Sequence, residues 1–152
     1  MKVGIIGCGT IANAAHIPAY MKNEEVQIAY FCDIIPERAE EAVKTYGCGK
    51  AVTDYHEILN DSSVEAVSIC TPNNVHSTIA IDCLRAGKDV LCEKPAARTY
   101  AEALEMQKVQ HETGRVLNIG VCNRFHNGVR VLKKLIDEGM FGDIFHVYVS
   151  FR

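Results

Sequence analysis

The stretch Lys2-Val-Gly-Ile-Ile-Gly-Cys-Gly-Thr-Ile-Ala12, taken with Asp33, constrains this chain more than any other feature. It begins as an apolar run of strand type, passes through Gly7-x-Gly9-x-x-Ala12 and continues into a helical pattern. A second apolar run, Val26 to Cys32, ends in an acid. Gly7 permits a tight turn out of the strand, Gly9 lets the backbone approach a ligand closely, and small Ala12 lets helix and strand pack together. Asp33 lies about 20 residues beyond the glycines, where a carboxylate can hold both hydroxyls of a ribose. A plain strand–turn–helix connection explains the glycines but not the acid. The layout is that of a dinucleotide site, with a pyrophosphate at Gly7, Gly9, Thr10, Ile11 and Ala12.

Strand and helix patterns alternate along the rest of the chain. Lys2–Ile6, Val26–Cys32, Lys50–Thr53, Ala66–Cys70, Asp89–Cys92 and Val116–Ile119 read as strands. Most are short continuous apolar runs, as expected of parallel strands buried on both faces. Ile11–Met21, Glu37–Tyr46, Tyr55–Leu59, Val75–Ala86 and Tyr100–Thr113 read as helices, with Pro36 near one start and Gly47, Gly87 and Gly114 just past three ends. Repeated β–α units predict an α/β fold with a doubly wound parallel sheet of Rossmann type over residues 1–120. After about residue 120 the pattern changes. Val129, Leu132 and Ile136 mark an amphipathic helix, Gly139 and Gly142 break it, and Ile144–Phe151 reads as a strand. Residues 121–152 are expected to be the connecting helix and first strand of a truncated C-terminal α/β domain, since a strand without a partner makes an awkward terminus.

A chain of 152 residues with 48% hydrophobic content can build a real core. A net charge of −3 without a basic stripe argues against nucleic acid as a partner. No apolar stretch is long enough to span a bilayer, and Lys2 leads directly into a glycine-punctuated strand and not into a signal sequence. The seven cysteines are scattered, none in a CxxC pair, which fits reduced structural thiols in a cytoplasmic protein and no metal site.

Two further segments follow strands and so belong to the ligand-binding edge of an open parallel sheet. Thr71-Pro72-Asn73-Asn74-Val75-His76 follows the fourth strand. It is at once a turn with a helix cap and a loop whose backbone can meet a cofactor. Glu93-Lys94-Pro95 follows the fifth. Lys94 can hydrogen-bond a substrate hydroxyl or carbonyl and stabilise a developing alkoxide, and Pro95 fixes φ beside it.

The set Gly7-x-Gly9-x-x-Ala12, Asp33, Thr71-Pro72-Asn73-x-x-His76, Ala86-Gly87-Lys88-x-Val90-x-Cys92-Glu93-Lys94-Pro95 and Gly139-x-x-Gly142 resembles the Gfo/Idh/MocA oxidoreductases. The resemblance runs over the whole chain. It implies a nicotinamide-dependent dehydrogenase or reductase acting on sugars, polyols or related hydroxy compounds. It further implies a phosphate loop at Gly7, Gly9, Thr10 and Ile11, a ribose acid at Asp33, and a cofactor-lining loop at Thr71, Pro72, Asn73 and His76. Glu93 and Lys94 match the motif beside the nicotinamide, with Lys94 as the catalytic candidate facing substrate. Ile119–Phe125 matches the segment leading into the family's second domain. That domain carries an acid–base pair and most substrate contacts, so this chain alone is expected to be inactive and the full-length protein to be a homo-oligomer.

Asp33 disfavours a 2′-phosphate, and Ile34 and Ile35 offer no charge to bind one, so NAD is expected over NADP. Arg38, one turn further, can reach a 2′-phosphate, stack on adenine or serve as a solvated helix residue. A non-catalytic NAD-binding module or redox sensor is the alternative reading. A methyltransferase also pairs a glycine loop with an acid, but has no use for Glu93-Lys94-Pro95. Asp33→Ala is expected to weaken NAD binding by at most a few kcal/mol and to narrow the margin over NADP. Titration of both cofactors checks this; an unchanged margin would discredit the assignment.

Overall fold

A computed structural model of the chain describes residues 1–150. The backbone divides into two units, Met1–Gly120 and the residues from Val121 onward. In the first unit, β1 (Lys2–Ile6), β2 (Gln27–Cys32), β3 (Lys50–Val52), β4 (Ala66–Ile69), β5 (Asp89–Cys92) and β6 (Leu117–Ile119) form one sheet. The strand order is β3-β2-β1-β4-β5-β6 and every pairing is parallel. The chain starts at the centre, winds outward through β2 and β3, then returns to β1's other side and winds outward again. The reversal between β1 and β4 is a topological switch point, where the crevice of such a sheet opens.

Register decides what meets at that crevice. Ile6 pairs with Cys32 and with Ile69, and Ile69 pairs with Cys92. The strands β1, β2, β4 and β5 therefore end level. The residues that follow them, Gly7, Asp33, Cys70–Thr71 and Glu93–Lys94, emerge along one edge.

Alternation along the strands divides the core. Val3, Ile5, Ile28 and Phe31 point to a face covered by Ala12 and Ile17 and by Ala39 and Ala42 of α2 (Pro36–Tyr46). Ile6, Val67, Ile69, Val90 and Cys92 point to the other face. That face is covered by Ile58 of α3 (His56–Asn60), by Ile79, Cys83 and Leu84 of α4 (His76–Arg85), and by Met106 and Val109 of α5 (Tyr100–Thr113). The ends follow local chemistry. Pro36 opens α2, the Thr99 hydroxyl accepts the Glu102 N–H at 3.2 Å at the head of α5, and left-handed Gly47 and Gly114 close the two helices.

The segment expected as one helix over Ile11–Met21 is instead a π turn, Ala12–His16, running into a short α1 (Ile17–Met21). The Ile17 N–H reaches back to the Ala12 carbonyl, and Pro18, next in line, has no N–H to continue an ordinary ladder. The wide turn brings Ala12, His16 and Ile17 all to the sheet side. At the opposite edge, buried Lys88 donates from Nζ to the carbonyls of Asp61 at 2.6 Å and Val64 at 2.9 Å. Lys88 thus ties the entry of β5 to the entry of β4 and is far removed, along the sheet, from the strand ends.

In the second unit, a 3-10 turn (Cys122–Phe125) leads to α6 (Asn127–Asp137), whose first turn is capped by His126 Nδ1 accepting the Gly128 N–H at 3.3 Å. The expected strand over Ile144–Phe151 is not formed over residues 144–150, and Phe151 lies outside the described residues. Aromatic and β-branched residues favour a pleated surface, but a strand exists only with a partner, and none pairs with this segment among the described residues. The segment instead lines an apolar groove of about 570 Å³ with Leu132, Ile136 and Phe141.

All seven cysteines are free thiols, and five of them, Cys8, Cys32, Cys70, Cys83 and Cys92, are buried. Burial pushes each of these five thiols up to about 12. At pH 8 they carry almost no thiolate, the reactive form. Alkylation of the folded chain followed by mass spectrometry is expected to label exposed Cys122 first, half-buried Cys48 more slowly, and the other five only in denaturant. Rapid labelling of any of the five would contradict this packing.

Candidate cofactor site

At the switch point the loops after β1 and β4 touch. Gly7 has φ +93°, and a Cβ on it would lie 2.7 Å from the Cys70 carbonyl carbon and 2.8 Å from the Thr71 nitrogen. Its own N–H donates to the Cys32 carbonyl at 2.7 Å. Gly7 is therefore required both by its conformation and by the approach of a second backbone. A Cβ on Gly9 would meet nothing within 4 Å, so the space over this turn is open. Thr10 and Ile11 are exposed beside it and Ala12 is fully buried beneath. The Asn13 amide donates to the carbonyls of Cys8 at 2.8 Å and Gly9 at 2.9 Å, holding the turn from below.

Asp33, at the end of β2, is only 7% exposed. Its Oδ2 accepts the Cys8 N–H at 2.9 Å and its Oδ1 accepts the Ile35 N–H at 2.9 Å. The carboxylate braces the glycine loop and still has lone pairs to offer a hydroxyl. Ile34 and Arg38 are exposed beyond it.

The Thr71 loop supplies the third wall. Thr71 Oγ1 is buried without a hydrogen-bond partner among the described residues. A buried hydroxyl left unsatisfied costs about 1–3 kcal/mol, so a ligand atom that pairs with it gains that much in return. Pro72 and Asn73 are exposed. His76 is 1% exposed, and its ring lies between two backbone carbonyls, Pro95 O at 2.8 Å from Nδ1 and Thr71 O at 2.8 Å from Nε2. It links the Thr71 loop to the Glu93-Lys94-Pro95 turn from within, and its ring does not reach the open crevice.

Lys94 is exposed at the end of β5, and the Lys94–Pro95 peptide is cis. Glu93 is largely buried. Its Oε2 accepts the Lys94 N–H at 3.2 Å and its Oε1 meets His16 Nε2 at 3.0 Å. The charges of Asp33 and Glu93 reinforce burial in raising the thiols beside them, Asp33 at Cys8 and Cys32, Glu93 at Cys70 and Cys92. Two residues that pattern reading passed over, Asn13 and His16, are thus part of the site's frame. His16 had a detectable signal, a polar residue four places after Ala12 on the inward stripe of a helix.

A turn with open space above Gly9, a fixed carboxylate one strand away and an unpaired hydroxyl across the switch point fit a dinucleotide. The sequence model of the GFO_IDH_MocA family, described as an oxidoreductase family with an NAD-binding Rossmann fold, matches residues 1–121. The chain belongs to this family. Inositol 2-dehydrogenase of Salmonella typhimurium is 35% identical over 145 residues, which are 93% of this chain and 43% of the relative. The scyllo-inositol 2-dehydrogenase (NADP(+)) of Bacillus subtilis is 33% identical over the whole chain and 42% of the relative. Among solved structures, the WlbA dehydrogenase from Bordetella pertussis in complex with NADH and UDP-GlcNAcA superposes with a TM-score of 0.90 at 29% identity, over 95% of this chain and 42% of that one. KijD10, a 3-ketoreductase from Actinomadura kijaniata in complex with NADP, gives 0.84 at 29% identity, over 94% and 44%. The chain thus spans less than half the length of the Gfo/Idh/MocA relatives it matches.

Thr71→Val removes the unpaired hydroxyl while keeping the side chain's shape. We expect the cofactor-free chain to be as stable as the parent or slightly more so, and NADH binding to weaken severalfold. Urea unfolding and fluorescence titration check the pair of effects; a clear loss of stability would mean that Oγ1 has a partner after all.

Proposed function

We propose that this chain is the cofactor-binding part of an oxidoreductase that prefers NAD and moves a hydride between it and a carbon bearing a hydroxyl on a sugar or polyol. One observation carries the reading: β1, β2, β4 and β5 end level, so the glycine turn, Asp33, the Thr71 loop and Lys94 line one edge across the switch point. When bound, the nicotinamide supplies the hydride chemistry. The chain's own residues position and handle protons. The Gly7–Ala12 turn holds the pyrophosphate and Asp33 the ribose diol. Lys94 donates to the reacting oxygen and stabilises the negative charge that grows there, and the hydroxyl proton passes to the acid–base pair that the family resemblance implies in the second domain.

The relatives named above include an enzyme named for NADP and a structure holding NADH. Preference is therefore a local property. Here the buried Asp33 carboxylate, followed by Ile34 and Ile35, supports NAD. Buried free thiols support a reducing, cytoplasmic setting.

Fluorescence titration of the chain with NADH and NADPH tests the cofactor reading. NADH is expected to bind about tenfold or more tightly than NADPH. Equal or reversed affinities would remove the NAD preference, and binding of neither would remove the cofactor reading. For the chemistry, Lys94→Ala in the protein from its native source is expected to lower kcat on polyols by about 10²-fold with NADH affinity nearly unchanged. Undiminished turnover would take Lys94 out of the reaction.

A further inference from the structure

Behind the Glu93–Lys94 turn lies a chain of polar side chains that joins the two halves of the site. Tyr20 OH and Ser68 Oγ are 2.7 Å apart, Ser68 Oγ and His16 Nδ1 3.3 Å, and His16 Nε2 and Glu93 Oε1 3.0 Å. The side chains of His16 and Glu93 are 9% and 14% exposed, and Ser68 is fully buried in the middle of β4. Hydrogen-bond roles along this chain follow from what each group can do. A carboxylate only accepts, so His16 Nε2 carries a proton. Its Nδ1 meets the Ser68 hydroxyl, which in turn meets the Tyr20 hydroxyl, and each hydroxyl can donate as well as accept.

The two ends of this chain belong to different parts of the site. His16 closes the π turn that begins at Ala12, the last residue of the glycine motif. Glu93 holds the Lys94 N–H with its other oxygen. Gly120 leaves room for this carboxylate, since a Cβ there would stand 3.1 Å from Oε1.

We infer that His16 is a positioning residue that acts through Glu93, holding the Lys94 turn in register with the phosphate loop. The inference rests on the reading that the Glu93–Lys94 turn borders the nicotinamide, so that displacing the turn's backbone weakens NADH where removing the Lys94 side chain alone does not. The π turn sets where His16 lies, His16 sets the Glu93 carboxylate, and the carboxylate sets the first residue of the Lys94–Pro95 turn. The half of the cofactor near the glycine loop needs none of this.

Two ligands separate the halves. ADP-ribose carries the adenosine and the pyrophosphate but not the nicotinamide. In the 152-residue chain, His16→Leu is expected to weaken NADH about tenfold while leaving ADP-ribose within about twofold. His16→Gln, whose amide N–H falls near the place of Nε2, is expected to restore NADH to within about twofold of the parent. Long-range ¹H–¹⁵N spectra of the parent chain, with the His16 signals identified by their loss in His16→Gln, are expected to show Nε2 protonated, disturbed by Glu93→Gln. A population of His16 without a proton on Nε2 would overturn the inference even if His16→Leu fails to fold. So would equal losses of NADH and ADP-ribose, or no loss of either, in a folded His16→Leu. If the parent binds ADP-ribose but not NADH, or neither, the functional reading fails and the inference with it.

Discussion

The contact between the backbones after β1 and β4 is the constraint on which this domain's functional edge depends. With no side chain on Gly7, the loop can lie against Cys70 and Thr71 while its own N–H reaches the end of β2. Three strand ends are thereby drawn together. A Cβ in that gap would sit at less than 3 Å from three backbone atoms, and backbone cannot rotate away as a side chain can. The carboxylate of Asp33 can reach the Cys8 N–H only because the turn is held at this height. What looks like a flexible glycine loop is a packed junction with one open face, above Gly9.

Much of this was legible in the residues, and the reason is register. Parallel strands buried on both faces read as short apolar runs, and the residues just after each run fall on one edge, so Asp33, Thr71 and Lys94 could be placed without knowing the sheet. The glycine fingerprint and the Glu93-Lys94-Pro95 motif carried the family. The parts that were not legible depend on contacts between residues far apart in the chain. His16 and Glu93 are 77 residues apart and meet only once the sheet is assembled. The π turn was hidden for a different reason, because its apolar spacing is close to that of an ordinary helix. The segment from Ile144 shows the reverse failure: its composition suits a strand, but composition supplies no partner.

The buried polar groups of the first unit divide the work between the two ends of the sheet. At the strand starts Lys88 grips two carbonyls and has a purely architectural part. At the strand ends His76 lies between the carbonyls of two loops, and Glu93 joins the adjacent Lys94 N–H to the His16 ring across the sheet, so that both place loops that face solvent. Such groups are costly to strand without partners, so the arrangement favours a single geometry of the edge over many nearly equal ones. Loops that would otherwise wander are thereby made as definite as the strands that carry them.

The two hydrogen bonds of Asp33 bear on how cofactor preference can change over evolutionary time. The carboxylate proposed to face the ribose also secures the Cys8 and Ile35 amides, so replacing it disturbs the scaffold along with any selectivity it confers. A lineage drifting toward a phosphorylated ribose has an easier course through Ile34, which is 88% exposed and holds nothing in place. A basic side chain acquired there would add attraction for the phosphate first, with the acid retained as a strut. Descendants would then differ from this chain in the residue after the acid before they differed in the acid itself.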